Sequence, residues 1–129
     1  MFNFIYKLSR CIYGMDKVLR FLYACDVPKR CTIGKNVVFE HNALGVTIYP
    51  DSIIEDNVHI QHHVTIGLRT HNSGSPIIRK GAFIGAHTLI LGNVEIGEGA
   101  IIGAGSLVLD NVPANTIYYN VREKTIRKK

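Results

Sequence analysis

The stretch IRKGAFIGAHTLILGNVEIGEGAIIGAGSLVLDNVP, residues 78–113, places an aliphatic residue at nearly every sixth position. The frame continues upstream to residue 48, and ten of its eleven positions are aliphatic. The series is Ile48, Ile54, Ile60, Ile66, Asn72, Ile78, Ile84, Ile90, Ile96, Ile102 and Val108. A period of six fits neither the 3.6-residue period of a helix nor the two-residue alternation of a half-buried strand. The repeat therefore has to be explained before any single motif.

A second series lies four residues after the first and consists of small or β-branched side chains. Its members include Ser52, Val58, Val64, Ala82, Thr88, Val94, Ala100 and Ser106. Both series predict a chain wound as a triangular coil, in which three hexapeptides complete one circuit and the aliphatic residues point inward. Successive coils would stack at about 4.8 Å and cover one another's interior. A flat sheet of short strands is the alternative, but it gives no reason for a strict six-residue frame.

Two interruptions break the frame. It slips by three residues between Phe39 and Ile48, and Asn72 lies in the polar, turn-rich segment LRTHNSGSP before the frame resumes at Ile78. We therefore predict an extruded loop over residues 68–77. Loops that project from a rigid scaffold commonly carry recognition.

The ends of the chain differ from the repeat. Apolar residues in residues 1–25 follow i, i+3, i+4 spacing beside basic residues, which predicts one amphipathic helix, or two interrupted at Gly14. This segment is expected to cap the first coil; peripheral contact with a membrane and docking of a partner are the alternatives. The β-helix domain is predicted over residues 26–116, and residues 117–129 form a basic tail.

Composition narrows the classes of protein. The chain has 129 residues, 47% hydrophobic and 19% charged, which predicts one folded domain and excludes a disordered polymer. Three cysteines without a C-x-x-C pair, and no cleavable export signal, lead us to expect a cytoplasmic protein without a zinc site. The net charge of +5 permits an anionic ligand. Nucleic acid is disfavoured because the basic residues are not interleaved with aromatic residues.

The segment DVPKRCTIGKNVVFEHNALGVTIYPDSIIEDNVHIQHHVTIG, residues 26–67, narrows the family. Glu40 directly precedes His41, a glycine-containing slip follows, and Asp26 lies fifteen residues before His41. With the repeat, this pattern resembles the serine acetyltransferase branch of the hexapeptide-repeat acyltransferases and its short sugar-modifying relatives. The resemblance implies a left-handed parallel β-helix of about four to five coils. It also implies acetyl-CoA as co-substrate and a homotrimer with sites between subunits.

His41 is the candidate catalytic residue on chemical grounds as well. Transfer of an acyl group from a thioester to a hydroxyl requires a base, and histidine titrates near neutral pH. A carboxylate commonly orients such a histidine, and the resemblance gives this role to Asp26. Glu40 is then expected to contact the acceptor. Without the resemblance, a solvated histidine at a corner would be the preferred explanation of His41.

The coenzyme groove is implied by the resemblance. Small residues let a pantetheine arm approach the backbone, and the matching positions are Gly67, Ala86 and Ala104. Arg79 and Lys80 are candidate contacts for the coenzyme phosphates, although surface cations are usually just solvated. No cysteine is placed to carry the acyl group, so direct transfer is expected.

The remaining histidines receive weaker predictions. His59, His62 and His63 are expected to be solvated corner residues, because they lack the spacing of metal ligands. His71, on the extruded loop, is a candidate contact for the acceptor or for the coenzyme. His87 lies among the coenzyme coils, where the family usually has a small residue.

One departure from the family bears on the acceptor. Serine acetyltransferases end their extruded loop in an Arg-His pair before proline, whereas Gly74 and Ser75 precede Pro76 here. A serine carboxylate would lose its bidentate partner unless Arg69 replaces it. We therefore expect a hydroxyl of a sugar or cell-surface polysaccharide precursor as the acceptor. Serine O-acetylation in cysteine biosynthesis and a non-catalytic β-helix scaffold are the alternatives.

Overall fold

The structure is a computed structural model that describes Tyr6 and residues 14–120. In this part of the chain, one helix is followed by short strands and a single 3-10 turn. The elements are α1 (Met15–Tyr23), β1 (Thr32–Ile33), β2 (Val38–Phe39), the 3-10 turn (Glu40–Ala43), β3 (Thr47–Ile48), β4 (Ile53–Ile54), β5 (His59–Ile60), β6 (Thr65–Gly67), β7 (Ile77–Ile78), β8 (Phe83–Ile84), β9 (Leu89–Leu91), β10 (Glu95–Ile96), β11 (Ile101–Ile102), β12 (Leu107–Val108) and β13 (Ile117–Tyr118).

The strands form three parallel sheets. The first sheet contains β1, β4, β7 and β10, the second contains β2, β5, β8, β11 and β13, and the third contains β3, β6, β9 and β12. Up to β12, every third strand returns to the same sheet, and the bridge between Ile96 and Val112 then takes the place of a first-sheet strand before β13. The chain thus winds as a three-sided solenoid of about four turns. The predicted parallel β-helix is confirmed.

The interior consists of the aliphatic residues of the six-residue series. The isoleucines from Ile54 to Ile102 that fall in the frame are fully buried, as are most of the small residues that follow them. Burial of one such side chain contributes about 1.5–3 kcal/mol. The repeat therefore places one apolar layer in each coil.

The two interruptions change the register between coils. Phe83 pairs with Ile101, so this circuit has the regular length of three hexapeptides. The circuit from Val38 to its partner His59 is longer by half a hexapeptide. The next circuit, from His59 to its partner Phe83, is longer by one whole hexapeptide. The first excess is the 3-10 turn and the second is the loop between β6 and β7. Because β7 already begins at Ile77, the loop is one residue shorter than predicted.

The N-terminal helix packs on the first coil. Leu19 of α1 and the separate residue Tyr6 belong to the buried cluster, and the Tyr6 hydroxyl donates to the Pro28 carbonyl at 3.3 Å. Phe21 and Leu22 are exposed. Helix α1 covers only part of the predicted residues 1–25 and ends at Tyr23, while residues 1–5 and 7–13 lie outside the described residues.

At the other end, the solenoid extends past the boundary predicted at residue 116. Strand β13 pairs with β11, so Ile117 and Tyr118 belong to the second sheet rather than to a tail. The rest of the predicted tail, from residue 121, lies outside the described residues. The described part of the chain holds no helix with the length and hydrophobicity of a transmembrane segment.

Candidate active site

Four histidines lie together at the corner between the second and third sheets. We call His41, His62, His63 and His87 the histidine corner. Each follows a strand of the second sheet, and the register between coils places them in two neighbouring columns, His41 with His62 and His63 with His87. The backbone links the coils there, since the N–H of His87 donates to the carbonyl of His62 at 3.1 Å.

The four imidazole rings form one connected cluster. His62 is central: its ring centroid lies 5.0 Å from that of His41, 5.3 Å from that of His87 and 5.6 Å from that of His63, all edge to face. His63 and His87 are stacked, with centroids 4.9 Å apart and an interplanar angle of 15°. The base predicted from the sequence is therefore the outermost ring of a cluster.

The backbone of this corner is left-handed. His63 and His87 have φ angles of 55° and 57°, and Gly105 occupies the equivalent position on the next coil with a φ of 67°. Side chains other than glycine, asparagine and aspartate are uncommon there, although histidine is tolerated better than most. A side chain in this region costs roughly 1–2 kcal/mol per residue. Two imidazoles are thus held at positions where glycine would be unstrained.

His62 differs from its neighbours in its electrostatics. Its Nδ1 atom is shielded from solvent and has no hydrogen-bond partner among the described residues. Burial, and then the imidazoles of His41, His87 and His63, lower the pKa of His62. Its ring is therefore neutral at neutral pH. His62 is half-buried, so the prediction of a solvated corner residue describes it only in part, whereas His63 is exposed as expected.

The two candidate carboxylates have different partners. Asp26 runs beside β3, where its carbonyl accepts a hydrogen bond from the N–H of Ile48 at 2.8 Å, and its carboxylate forms an ion pair with Arg20 of α1. The Oε1 atom of Glu40 lies 3.9 Å from Nδ1 of His59. The ion pair recorded for Asp26 thus points to the helix, and its orienting role toward His41 stays a prediction.

Two of the coenzyme candidates share the histidine corner. Ala86 and Ala104 occupy the same position on successive coils, next to His87 and Gly105 respectively, and the N–H of Gly105 donates to the Ala86 carbonyl at 2.7 Å. Gly67 instead ends β6, at the start of the loop. A Cβ atom there would meet nothing closer than Leu91 Cδ2 at 3.8 Å, so the surrounding chain does not require glycine.

Arg79 and Lys80 lie at a different corner, after a strand of the first sheet. The guanidinium of Arg79 donates to Glu55 at 2.8 Å and to Glu95 at 2.9 Å, and these hydrogen bonds lower the pKa of both carboxyl groups. The N–H of Lys80 also donates to Glu55, at 2.9 Å. These contacts give Arg79 a structural role. A contact of either residue with coenzyme phosphates stays a prediction.

The loop between β6 and β7 is organised by Ser73. Its hydroxyl accepts hydrogen bonds from the N–H groups of Arg69 at 2.8 Å and Thr70 at 3.1 Å. Arg69 and His71 are exposed on this loop. The loop leaves the solenoid between the third and first sheets, so a single chain displays the loop and the histidine corner at different corners.

Metal binding has no geometric support in the described residues. None of their histidine, cysteine, aspartate and glutamate side chains form a group of three or more arranged to hold a metal ion. In the histidine corner the rings stack and abut instead of converging on one point. The arrangement suits proton transfer by an exposed imidazole.

The three-sided parallel β-helix is an architecture that this chain shares with hexapeptide-repeat proteins. Residues 75–110 match the family model described as bacterial transferase hexapeptide (six repeats). A serine acetyltransferase of Buchnera aphidicola subsp. Schizaphis graminum is 41% identical over 98 residues, which cover 67% of this chain and 37% of that protein. Probable serine acetyltransferase 1 of Oryza sativa subsp. japonica is 50% identical over 72 residues, which cover 54% of this chain and 23% of that protein.

Solved structures agree with these relatives. Serine acetyltransferase from Brucella abortus strain S19 in complex with coenzyme A superposes with a TM-score of 0.80 at 33% identity, over 94% of this chain and 50% of that chain. Soybean serine acetyltransferase complexed with serine gives a TM-score of 0.76 at 38% identity, over 94% and 52%. The chain thus spans about half the length of these solved proteins, and 37% or less of the two curated relatives named above.

These matches confirm the resemblance to the serine acetyltransferase branch of the hexapeptide-repeat acyltransferases. The relatives are acyltransferase enzymes. Superposition at this level requires that the solenoid wind in the same sense as theirs. Because every relative named carries the name serine acetyltransferase, the comparisons favour serine over the sugar acceptor expected from the loop sequence.

Proposed function

We propose that the protein is an acetyl-CoA-dependent O-acetyltransferase and that serine is its acceptor. The observation that carries the proposal is the position of His41. Its imidazole is exposed on the left-handed turn at the corner where Ala86 and Ala104 stack. A base thus shares one corner with the small residues that would admit a coenzyme arm. The coenzyme A complex of a relative supports the donor.

The chemistry assigned to His41 is direct transfer. Its imidazole removes the proton of the serine hydroxyl while that oxygen attacks the thioester carbonyl. The new C–O bond forms, the C–S bond breaks, and the proton passes from the imidazolium to the departing thiolate of coenzyme A. General base catalysis of this kind contributes about 10²–10⁴-fold in rate.

The supporting residues follow from the same proposal. Asp26 orients His41, which requires its carboxylate to be shared with or released from Arg20. Glu40 contacts the amino group of serine, while Arg69 and His71 approach its carboxylate from the loop. A charge-assisted hydrogen bond from a guanidinium is the strongest partner that this loop offers a carboxylate.

A homotrimer would bring these parts together. Within one chain the loop and the histidine corner occupy different corners of the prism. In the trimer that we propose, a threefold axis would bring the loop of one subunit to the histidine corner of its neighbour. We also propose a cytoplasmic location, with peripheral membrane contact through residues 1–25 as a secondary feature; the exposed Phe21 and Leu22 support that contact.

A saccharide hydroxyl is the second candidate acceptor. The observation that favours it is the absence of the Arg-His pair before Pro76, where Gly74 and Ser75 stand instead. A neutral sugar needs no partner for a carboxylate. Polysaccharide modification would then replace cysteine biosynthesis as the context.

The decisive experiment measures release of coenzyme A from acetyl-CoA with a thiol reagent, using L-serine and a panel of sugars as acceptors. We expect serine-dependent release, and a loss of at least about 100-fold in His41→Ala. Lys35→Ala, at an exposed residue on another corner, is the matched control and should retain full activity. Release with a sugar but not with serine would assign the second candidate. No release with any acceptor from a folded protein would leave a scaffold and overturn the proposal.

A further inference from the structure

The proposed reaction needs one histidine at the corner, yet four are assembled there. His63 and His87 hold left-handed backbone conformations that glycine adopts without strain, as Gly105 does one coil further on. Strained backbone that persists beside a reactive group points to a role for the side chain it carries. The three additional imidazoles therefore require an explanation of their own.

The base itself stands on unusual backbone. His41, Asn42 and Ala43 have consecutive φ angles of 51°, 56° and 61°, so a single left-handed turn carries the imidazole outward. An exposed side chain on such a turn is not fixed by packing from its own strand. Among the described residues, the ring that abuts His41 is that of His62, at 5.0 Å between centroids and an interplanar angle of 89°.

His62 can support the ring of His41 because its own ring is packed against two other imidazoles. The stacked rings of His63 and His87 both meet His62 edge to face. Space for the His63 ring is provided by Gly45, where a Cβ atom would collide with the His63 imidazole. A continuous chain of ring contacts therefore connects the coil of His87 with the base.

We propose that His62 is a positioning residue for His41, and that the stacked pair His63 and His87 buttresses it. The inference rests on the proposed function and deepens it by assigning what holds the base in place. Placement of a reacting group is worth a great deal, since a displacement of about 1 Å can cost 10²-fold in rate. His62 acts through His41 and has no contact of its own with the thioester or the acceptor in the proposed reaction.

The charge of His62 suits this role. Burial and the neighbouring imidazoles lower its pKa, so it carries no proton at neutral pH. A neutral ring beside His41 does not repel the imidazolium that forms there during transfer. A protonated ring in the same place would oppose that charge.

The first test compares His62→Ala with His62→Phe. Alanine removes the ring, and we expect kcat to fall about 10- to 100-fold while KM for acetyl-CoA and serine stays within about twofold. Phenylalanine restores a ring against His41, and because Nδ1 of His62 has no hydrogen-bond partner in the described part of the chain, kcat should recover to within about threefold of wild type. An unchanged kcat in His62→Ala would overturn the proposal. A phenylalanine variant as impaired as the alanine variant would also overturn it, since a nitrogen would then be needed.

A second variant separates positioning from folding. His87→Gly removes half of the buttress and relieves the positive φ of 57°. The melting temperature should be unchanged or higher, while kcat falls severalfold. A fall in kcat with a stable fold supports positioning; a full kcat overturns the role of the buttress. Lys35→Ala serves as control for both readouts.

A third measurement does not depend on turnover. In a ¹H–¹³C spectrum of the histidine-labelled protein, the ring signals of His41, assigned with His41→Asn, should be displaced by the His62 ring current and return toward random-coil values in His62→Ala. The same signals should be unmoved in Lys35→Ala. No change in His62→Ala overturns the ring contact even if the enzyme is active. If wild type transfers no acetyl group, the proposed function fails and the positioning role falls with it, whereas the spectrum still reports whether the rings touch.

Discussion

The coils formed by residues 77–108 and those formed by residues 26–76 share one interior but differ at their corners. In the former, paired strands are separated by three hexapeptides; in the latter, a circuit that contains the 3-10 turn is longer by half a hexapeptide, and a circuit that contains the loop between β6 and β7 is longer by one whole hexapeptide. Ile96 and Ile54, one from each region, are equally buried at 0% exposure. The core therefore tolerates insertions at the corners, and the chemistry is concentrated where those insertions lie.

The strongest test of this comparison is deletion of residues 41–43, which restores the six-residue frame between β2 and β3. The interior series is then uninterrupted, so we expect the parallel β-helix to form. Acetyl transfer should fall at least about 100-fold because the base and its left-handed turn are gone. Circular dichroism and the thiol release assay measure the two outcomes. An active deletion variant would show that the turn is a tolerated irregularity.

The interior can be tested by truncating one isoleucine in each region. Ile54→Ala and Ile96→Ala should each lower the free energy of unfolding by about 2–5 kcal/mol, because both leave a cavity in a closed core. The kcat of the folded fraction should be unchanged. Denaturant unfolding gives the comparison directly. A much smaller loss for Ile54→Ala would mean that the interrupted coils are packed less tightly than the regular ones.

The loop should matter for the acceptor and little for stability. Deletion of residues 69–74 returns the spacing between β6 and β7 to one hexapeptide. We expect the free energy of unfolding to change by less than about 1 kcal/mol, since loop length enters only logarithmically. The KM for the acceptor should rise at least about tenfold, because Arg69 and His71 are lost, while the KM for acetyl-CoA stays constant. An unchanged acceptor KM would place acceptor recognition elsewhere.

The smallest effect is expected at the regular corner, in the ion pairs of Arg79. Arg79 lowers the pKa of Glu95 in the folded protein, so the pair stabilises the fold above the unfolded value of about 4.3 and loses that effect as pH falls through the lower folded value. Glu95→Gln should be slightly less stable than wild type at pH 7, because solvent screens a pair whose partners are both accessible. The difference should shrink in denaturant unfolding as pH falls below the unfolded value of about 4.3. Asp110→Asn, at an exposed residue, is the control, and a difference that grows as the pH falls would contradict the assignment.

The sequence predicts the architecture well because the six-residue frame is a property of each strand and its neighbours. It does not predict which corner residues stack. A count of three hexapeptides places His41 over His59, and the three left-handed residues after Glu40 shift that contact to His62. The three-residue slip in the sequence indicated a shifted contact of this size. Only the backbone conformation shows that the three extra residues precede β3.

Two further features were beyond the sequence for a related reason. The ion pair between Arg20 and Asp26 depends on how α1 docks on the first coil, which no local pattern specifies. The network of Arg79 with Glu55 and Glu95 joins three coils of one sheet, and its members are far apart in the chain. Long-range register decides both contacts.

Because the stacked strands are uniformly spaced, the length of the solenoid is proportional to the number of its coils. Each added circuit lengthens the edge that runs from His87 through Ala104 by about 4.8 Å. The coils that precede the added circuit, including the histidine corner, keep their geometry. Duplicating a regular circuit below β12 would therefore extend the edge in a known increment. The length of this edge could therefore be changed by whole circuits without altering the histidine corner.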